Sequence, residues 1–489
     1  LVYKQHFKKG IMKIQDIFSK HLCIAVLTIL LLNNGCKKAI EVGPSTTMAN
    51  SGNAFSSDNA AQSVVAGILS EMSAGAFYQG SNSVSLNMGL AADELVNIGT
   101  SNQAFSSFYL NTYAPLVPPP FWTEFYRELF YCNTAIKGIA ASSQITPAIK
   151  KQLSGEVKFI RGFIYFYAVN LYGTPPLTTT DDYTVNNTMG NSTPSAIYAQ
   201  IIQDLTDAQS SLADNVYVDA SGTTVTARVR PNKQTASAML ARVYLYMKDW
   251  KNAETQASSV IASSNYSIVT DLSQVFLKGS NETIWALQPV VPLYPNTIDA
   301  TYLIVNAAYS ATSQLPLNTP LINAFESGDN RLTNWVGTFT TTTAPITTLY
   351  YANKYKSNGL GTVPVTEYPI VMRLAEQYLI RAEARAQQNN LAGAAADLNV
   401  IRSRAGLAAT TASTQTTMLN AIYHERQVEL FTEWGHRWFD LKRTGNLDGV
   451  MTTVAPVKGT TWNSYEQLMP IPPADILADP NIKQNQGYN

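Results

Sequence analysis

Lys233 to Ile261 reads KQTASAMLARVYLYMKDWKNAETQASSVI, and Leu374 to Ile401 reads LAEQYLIRAEARAQQNNLAGAAADLNVI. Each stretch carries one helix studded with small residues, a short polar turn and a second helix rich in alanine. Ala241, Ala253 and Ala257 in the first, and Ala382, Ala394 and Ala395 in the second, sit where paired helices must approach closely. A side chain no larger than a methyl group permits that approach.

Working outward, apolar residues recur near the helical period from Asp58, with Val64, Val65, Ile68, Leu69 and Met72 on one face. The same signal predicts helices over Trp122–Ile139, Ile149–Leu171, Ser195–Leu212, Lys233–Val243 onward, Trp250–Ala262, Tyr368–Gln388, Leu391–Ala405 and Met418–Lys442. Alternating strand-like runs are few and short. The expected fold class is mostly α, a tetratricopeptide-like helical-repeat scaffold in which stacked hairpins bury a shared face. Two unrelated hairpins with Ala-rich contacts are the competing reading; shared helix length and turn position favour a repeat. The repeat regions fall at about 145–262 and 367–445. Between them, residues 264–366 are rich in Thr, Asn, Pro and Gly with aromatics interspersed, which predicts an irregular loop lobe where binding segments tend to sit.

The N-terminus has a different texture. Lys13 and Lys20 precede an apolar run from Leu22 to Leu32, and Gly35-Cys36 follows. Eleven residues of helix extend only about 16 Å, against roughly 30 Å of bilayer hydrocarbon. The run therefore reads as a signal peptide over 1–35, with 1–11 a possible spurious extension ahead of Met12. The placement of Cys36 resembles a bacterial lipoprotein signal, in which that thiol is lipidated; a secreted protein with an ordinary cysteine is the alternative. Residues 36–52 are small and polar and read as a flexible tether to a single body over 53–489. Cys132 would then be the lone cysteine of the folded part, with no disulfide open to it.

Composition narrows the function. Of 489 residues 45% are hydrophobic, only 14% are charged, and the formal net charge is zero. With no basic stripe to neutralise phosphates, nucleic acid is not expected as a partner. His424 and His436 stand about three helical turns apart, too far to share an ion, and no zinc motif surrounds them. No cofactor fingerprint is visible. Asp93-Glu94 and Asp181-Asp182 are adjacent carboxylates, but glycoside hydrolysis needs two facing each other across a sugar. No enzyme is expected.

The last third is the most specific. Tyr368 to Arg385 reads YPIVMRLAEQYLIRAEAR, Asn399 to Leu407 reads NVIRSRAGL, Glu425 to Arg443 reads ERQVELFTEWGHRWFDLKR, and Leu468 to Tyr488 reads LMPIPPADILADPNIKQNQGY. Together with Gly155 to Leu177 (GEVKFIRGFIYFYAVNLYGTPPL), these segments in this order resemble the SusD/RagB family, outer-membrane nutrient-binding lipoproteins of Bacteroidetes. The resemblance implies a SusD-like α-α superhelix, lipid-anchored in the outer membrane and facing outward. It further implies that the protein binds a glycan or related oligomer and passes it to a SusC-type TonB-dependent transporter, on which it sits as a hinged lid. A docking subunit with no ligand site of its own is the alternative, and a glycan hydrolase a more remote one. On Glu425–Arg443, charges spaced three and four apart predict a single buried helix whose opposite charges meet along one side.

Family motifs do not carry ligand contacts, so the site is expected from loop placement. Sugars present flat C–H faces and a rim of hydroxyls, which suits aromatic platforms flanked by amides. One cluster is Phe77, Tyr78, Asn97, Phe105, Phe108 and Tyr109; the other is Tyr294, Tyr302, Tyr309 and Trp335. The two are expected to converge on one face, because a polymer needs a continuous platform.

Overall fold

A computed structural model describes residues 53–98, 102–114, 121–214, 227–306, 314–342 and 345–488. The signal, Cys36 and the tether lie outside the described residues. Among the described residues thirteen longer helices run in chain order: α1 Asp58–Ala74, α2 Val84–Ala91, α3 Gln103–Leu110, α4 Phe121–Ala141, α5 Pro147–Tyr172, α6 Pro194–Ser211, α7 Lys233–Tyr246, α8 Trp250–Ile261, α9 Leu374–Gln387, α10 Leu391–Arg404, α11 Gln415–Glu429, α12 His436–Arg443 and α13 Leu447–Lys458. Their starts are chemically marked. Ser57, Thr193, Asn232, Asp249, Asn390 and Thr414 each accept a hydrogen bond from a free amide of the first turn.

The two stretches that open the sequence reading fold alike. In each hairpin a left-handed residue, Lys248 (φ 61°) or Asn389 (φ 62°), is followed by the N-cap of the second helix, Asp249 or Asn390. Ala241, Ala253 and Ala257 of the first hairpin are buried against Ile380 and Ala384 of the second. α8 therefore lies directly on α9, and the small residues set how close they come. Upstream, α5 packs on α4 and α6, and α6 on α7, continuing the stack.

Two sequence expectations need correction. The stretch Tyr368–Gln388 is not helical throughout: Ile370–Arg373 forms β4, which pairs antiparallel with β1 (Thr283–Ala286) in the register Thr283↔Arg373 and Ala286↔Ile370. β2 (Val336–Thr340) and β3 (Thr348–Ala352) make a second antiparallel pair in the irregular lobe. Nor is Glu425–Arg443 one helix. The chain breaks at 430–435, where Thr432 (φ 54°), Trp434 (φ 49°) and Gly435 (φ 73°) are left-handed. The break is held in place by packing. A Cβ on Gly435 would lie 2.8 Å from Met88, Ser85 Oγ accepts the Trp434 amide at 2.9 Å, and the Trp434 indole donates to the Ile370 carbonyl at 2.6 Å.

The charges around this break mostly pair across the fold, not along one helix. Arg373 reaches Glu282, Glu429 and Glu433; Arg404 reaches Glu282 and Glu429; Arg331 reaches Asp329, Glu425 and Glu429; and Lys354 reaches Glu433. All nine residues are buried. Burial alone would raise the Glu429 carboxyl, but the Arg404, Arg373 and Arg331 guanidinium groups overcome it and hold the group far below the usual carboxylate range. The network fixes the lobe to the repeat scaffold, because removing one partner would strand a buried charge.

Candidate ligand-binding face

Asp299 is the pin of the candidate site. It is buried; one carboxylate oxygen accepts the Gly80 amide at 2.7 Å and the other the Ser83 hydroxyl at 3.1 Å. Ser83 also caps α2. The segment after α1 is thereby fastened to the segment 294–303, more than two hundred residues away in sequence. Burial pushes the Asp299 carboxyl up to about 7, and these two hydrogen bonds oppose the rise.

On that base one residue of the first predicted cluster meets one of the second. The Phe105 ring stands edge-on to Tyr302, with centroids 5.6 Å apart and planes at 86°. Burial raises the Tyr302 hydroxyl above its ordinary pKa, nearby Ser81 opposes the rise and Tyr294 adds to it, so both residues lie near that hydroxyl. Asn97 donates to Ser106 Oγ at 3.1 Å, on α3 beside Phe105. Tyr109, one turn further along α3, has the Lys458 ammonium 5.0 Å from its ring centroid. Asn97, Tyr109, Tyr294 and Tyr302 are all partly exposed.

Other expected contacts are not available to a ligand. Phe77 is enclosed by Tyr78, Phe121, Phe125 and Tyr167, whose ring centroids lie 4.7–5.2 Å away. Tyr78 turns inward and donates its hydroxyl to Glu128. Phe108 packs on Tyr113 and Phe121, and Phe105 acts only as a buttress from beneath. Each such ring gains roughly 1.5–3 kcal/mol from burial, which outweighs exposure on a shelf. Trp335 is 0% exposed; its indole donates to the Leu272 carbonyl at 2.9 Å, and Lys354, Arg373 and Arg404 lie 5.1–5.7 Å from its ring. It is a lining of the ion network, not a platform. Tyr309 lies outside the described residues. Sequence reasoning missed Ser106, the partner of Asn97, and Ser81, for which the polar run Gly80-Ser81-Asn82-Ser83 was the available signal.

The acidic pairs are committed elsewhere. Asp93 accepts both arms of Arg437 at 2.7 and 2.6 Å, while burial and the neighbouring Asp93 push Glu94 up to about 8. Asp181 pairs with Lys137 at 2.8 Å, and Asp182 caps the turn at Thr184. Neither pair faces a cleft as two opposed carboxylates. Glu326, His424 and Glu425 approach one another, but Arg402 lies between the two carboxylates and the His424 ring contacts the Ala324 carbonyl at 2.7 Å. Cys132 is buried and its thiol is pushed far up by burial, as an inert core residue would be.

Two family models match this chain. One, described as the SusD family, covers residues 337–488, and one described as starch-binding and associating with the outer membrane covers residues 53–245. The chain belongs to the SusD family. Among curated SusD relatives, the SusD-like protein P25 of Formosa agariphila is 23% identical over 75% of this chain and 78% of its own length. The starch-binding protein SusD of Bacteroides thetaiotaomicron is 24% identical over 70% of this chain and 74% of its own. Solved SusD-type structures share the fold. A laminarin-binding SusD-like protein superposes with a TM-score of 0.72 at 23% identity, covering 88% of this chain and 99% of the other. A SusD superfamily protein of Bacteroides vulgatus reaches 0.75 at 18% identity over 88% and 99%. The mostly helical SusD architecture expected from the sequence is thus the observed one.

Proposed function

We infer that this SusD-family protein is a cell-surface glycan-binding lipoprotein. It would be anchored to the outer membrane through Cys36 and would deliver its ligand to a SusC-type TonB-dependent transporter. One observation carries the binding reading: Tyr302 is partly exposed and backed by the Phe105 edge, with Ser81 and Tyr294 near its hydroxyl and Asn97 bonded to Ser106 on the helix that carries Phe105. A braced aromatic ring offers a flat apolar surface with little rotamer entropy left to lose, and hydroxyls and amides beside it match a sugar's rim. The starch-binding and laminarin-binding descriptions of similar proteins support the same ligand class. The role is capture and not turnover, in keeping with carboxylates already tied to Arg437 and Lys137.

The test is retention on native gels containing laminarin or soluble starch, extended to a glycan array. Tyr294→Ala with Tyr302→Ala should weaken binding at least about tenfold, since stacked aromatic contacts at a site are worth about 0.5–1.5 kcal/mol each beyond their buried area. Circular dichroism should show an unchanged fold. Wild-type protein that retains no glycan would leave the docking-subunit reading in its place.

A further inference from the structure

A second concavity lies away from Tyr302, along α4. Trp122, Tyr126 and Phe130 are spaced at four residues and so line up on one side of that helix. They form one wall of a groove of about 310 Å³, which the segment around Tyr183 and the closing stretch 475–482 complete. That volume lies at the lower end of the range for small-ligand pockets, about 300–1,000 Å³. Its rim is unusually bare: Phe130 is 45% exposed and Tyr183 71%.

The polar lining is one-sided. Asp479 is buried; one of its oxygens accepts the Asn481 amide at 3.0 Å and the other has no protein partner. Asn186 gives its amide N–H to the Thr180 carbonyl at 2.8 Å, leaving its own oxygen unpartnered. Asp475 also lines the groove; burial raises its carboxyl, the nearby Trp122 side chain opposes the rise, and it keeps acceptor capacity. A buried acceptor without a donor costs about 1–3 kcal/mol. The groove is thus lined by aromatic faces on one side and by two aspartates and an asparagine on the other, so it suits a ligand with apolar faces and donor groups. Two carboxylates at its floor disfavour an anionic one.

From this geometry we propose that the groove formed by α4, the Tyr183 segment and residues 475–482 is a second saccharide site, selective for neutral sugars. This rests on the glycan-binding reading above. The second site would hold a different stretch of the same polymer, so that long chains bind more tightly than short ones through raised effective concentration.

The experiment compares four full-length proteins on an array of neutral and uronic-acid glycans: wild type, Tyr294→Ala/Tyr302→Ala, Phe130→Ala/Tyr183→Ala, and all four substitutions together. The exposed rims of Phe130 and Tyr183 make their truncation compatible with folding, and circular dichroism verifies this. The expected result is that the Tyr294/Tyr302 variant keeps residual binding to neutral polymers, which the fourth protein loses by at least about tenfold. An Asp479→Asn variant should then relax the discrimination against uronic acids. If the Tyr294/Tyr302 variant binds nothing, the second site is overturned while glycan capture stands. If wild-type protein binds nothing, both fall. Loss of transporter co-purification in the Phe130/Tyr183 variant, with glycan binding intact, would reassign the groove to protein docking and overturn the proposal.

Discussion

Glu128 shows how a single buried side chain sets a pH response. It lies beneath Tyr78, whose hydroxyl it accepts, and burial pushes its carboxyl up to about 8. Between its ordinary value of 4.5 and about 8, the folded protein holds a proton that the unfolded chain has released. Stability must therefore fall as pH rises through that window. Glu128→Gln keeps an acceptor for Tyr78 and removes the titration. It should match wild type at pH 5 and exceed it by about 1–2 kcal/mol at pH 8.5, as read from urea unfolding at both values. At this scale the sequence is hardest to read. Trp335 and Phe77 stand among Asn, Gly, Thr and Ser, as platform residues would. What buries them is Leu272, Lys354, Arg373 and Arg404 in one case and Phe125 and Tyr167 in the other, all distant in the chain. Burial by remote partners leaves no local signature. Tyr294, Tyr302 and Asn97 carry the same local signal and remain partly exposed.

Elements were far more legible than single contacts. The helical period placed α4 to α8 within a few residues of where they lie, because an apolar face repeats over many turns. The failures occurred where backbone conformation overrides pattern. Thr432 and Trp434 are left-handed without being glycine, so the break between α11 and α12 has only Gly435 to announce it. Ile370–Arg373 is apolar enough to extend a helix, and only its pairing with β1 decides otherwise. The repeated hairpin gives a direct test. A left-handed conformation costs an ordinary L-residue about 1–2 kcal/mol, asparagine less, and glycine almost nothing. Lys248→Gly should therefore stabilise the protein by about 0.5–1 kcal/mol after the added unfolded-state entropy, and Asn389→Gly by less than half of that. Paired thermal melts would detect the difference; equal effects would mean that the two turns are not equivalent.

For the whole molecule, opposite titrations set the stable range. Glu429, Glu433 and Asp440 are depressed against the pull of burial by the cations beside them, so their contribution is present above the ordinary carboxylate range and drains away as acid protonates them. Glu94, Glu128 and Asp299 are raised and act in the reverse sense up to about 7–8. For these groups the two limbs cross within the ordinary carboxylate range, so stability should peak at about pH 4 to 4.5 and decline on both sides. Arg373→Met removes the central cation of the buried network and leaves Glu282, Glu429 and Glu433 short of a partner. It should cost about 3–5 kcal/mol, read as a lowered urea midpoint, and the acid limb of the pH profile should lose steepness.

That network has a bearing on how the chain can be made. Its members span Glu282 to Glu433, and the carboxylates that neutralise Arg331 and Arg373 come largely from α11 and the break after it. A nascent polypeptide stopped before residue 425 would therefore leave Arg331, Arg373 and Arg404 with only Asp329 and Glu282 among these carboxylates and could not complete its middle third. Premature termination anywhere in that span should leave a protease-sensitive product with no working fragment, so a viable shortened version has to be sought by trimming from the N-terminal side.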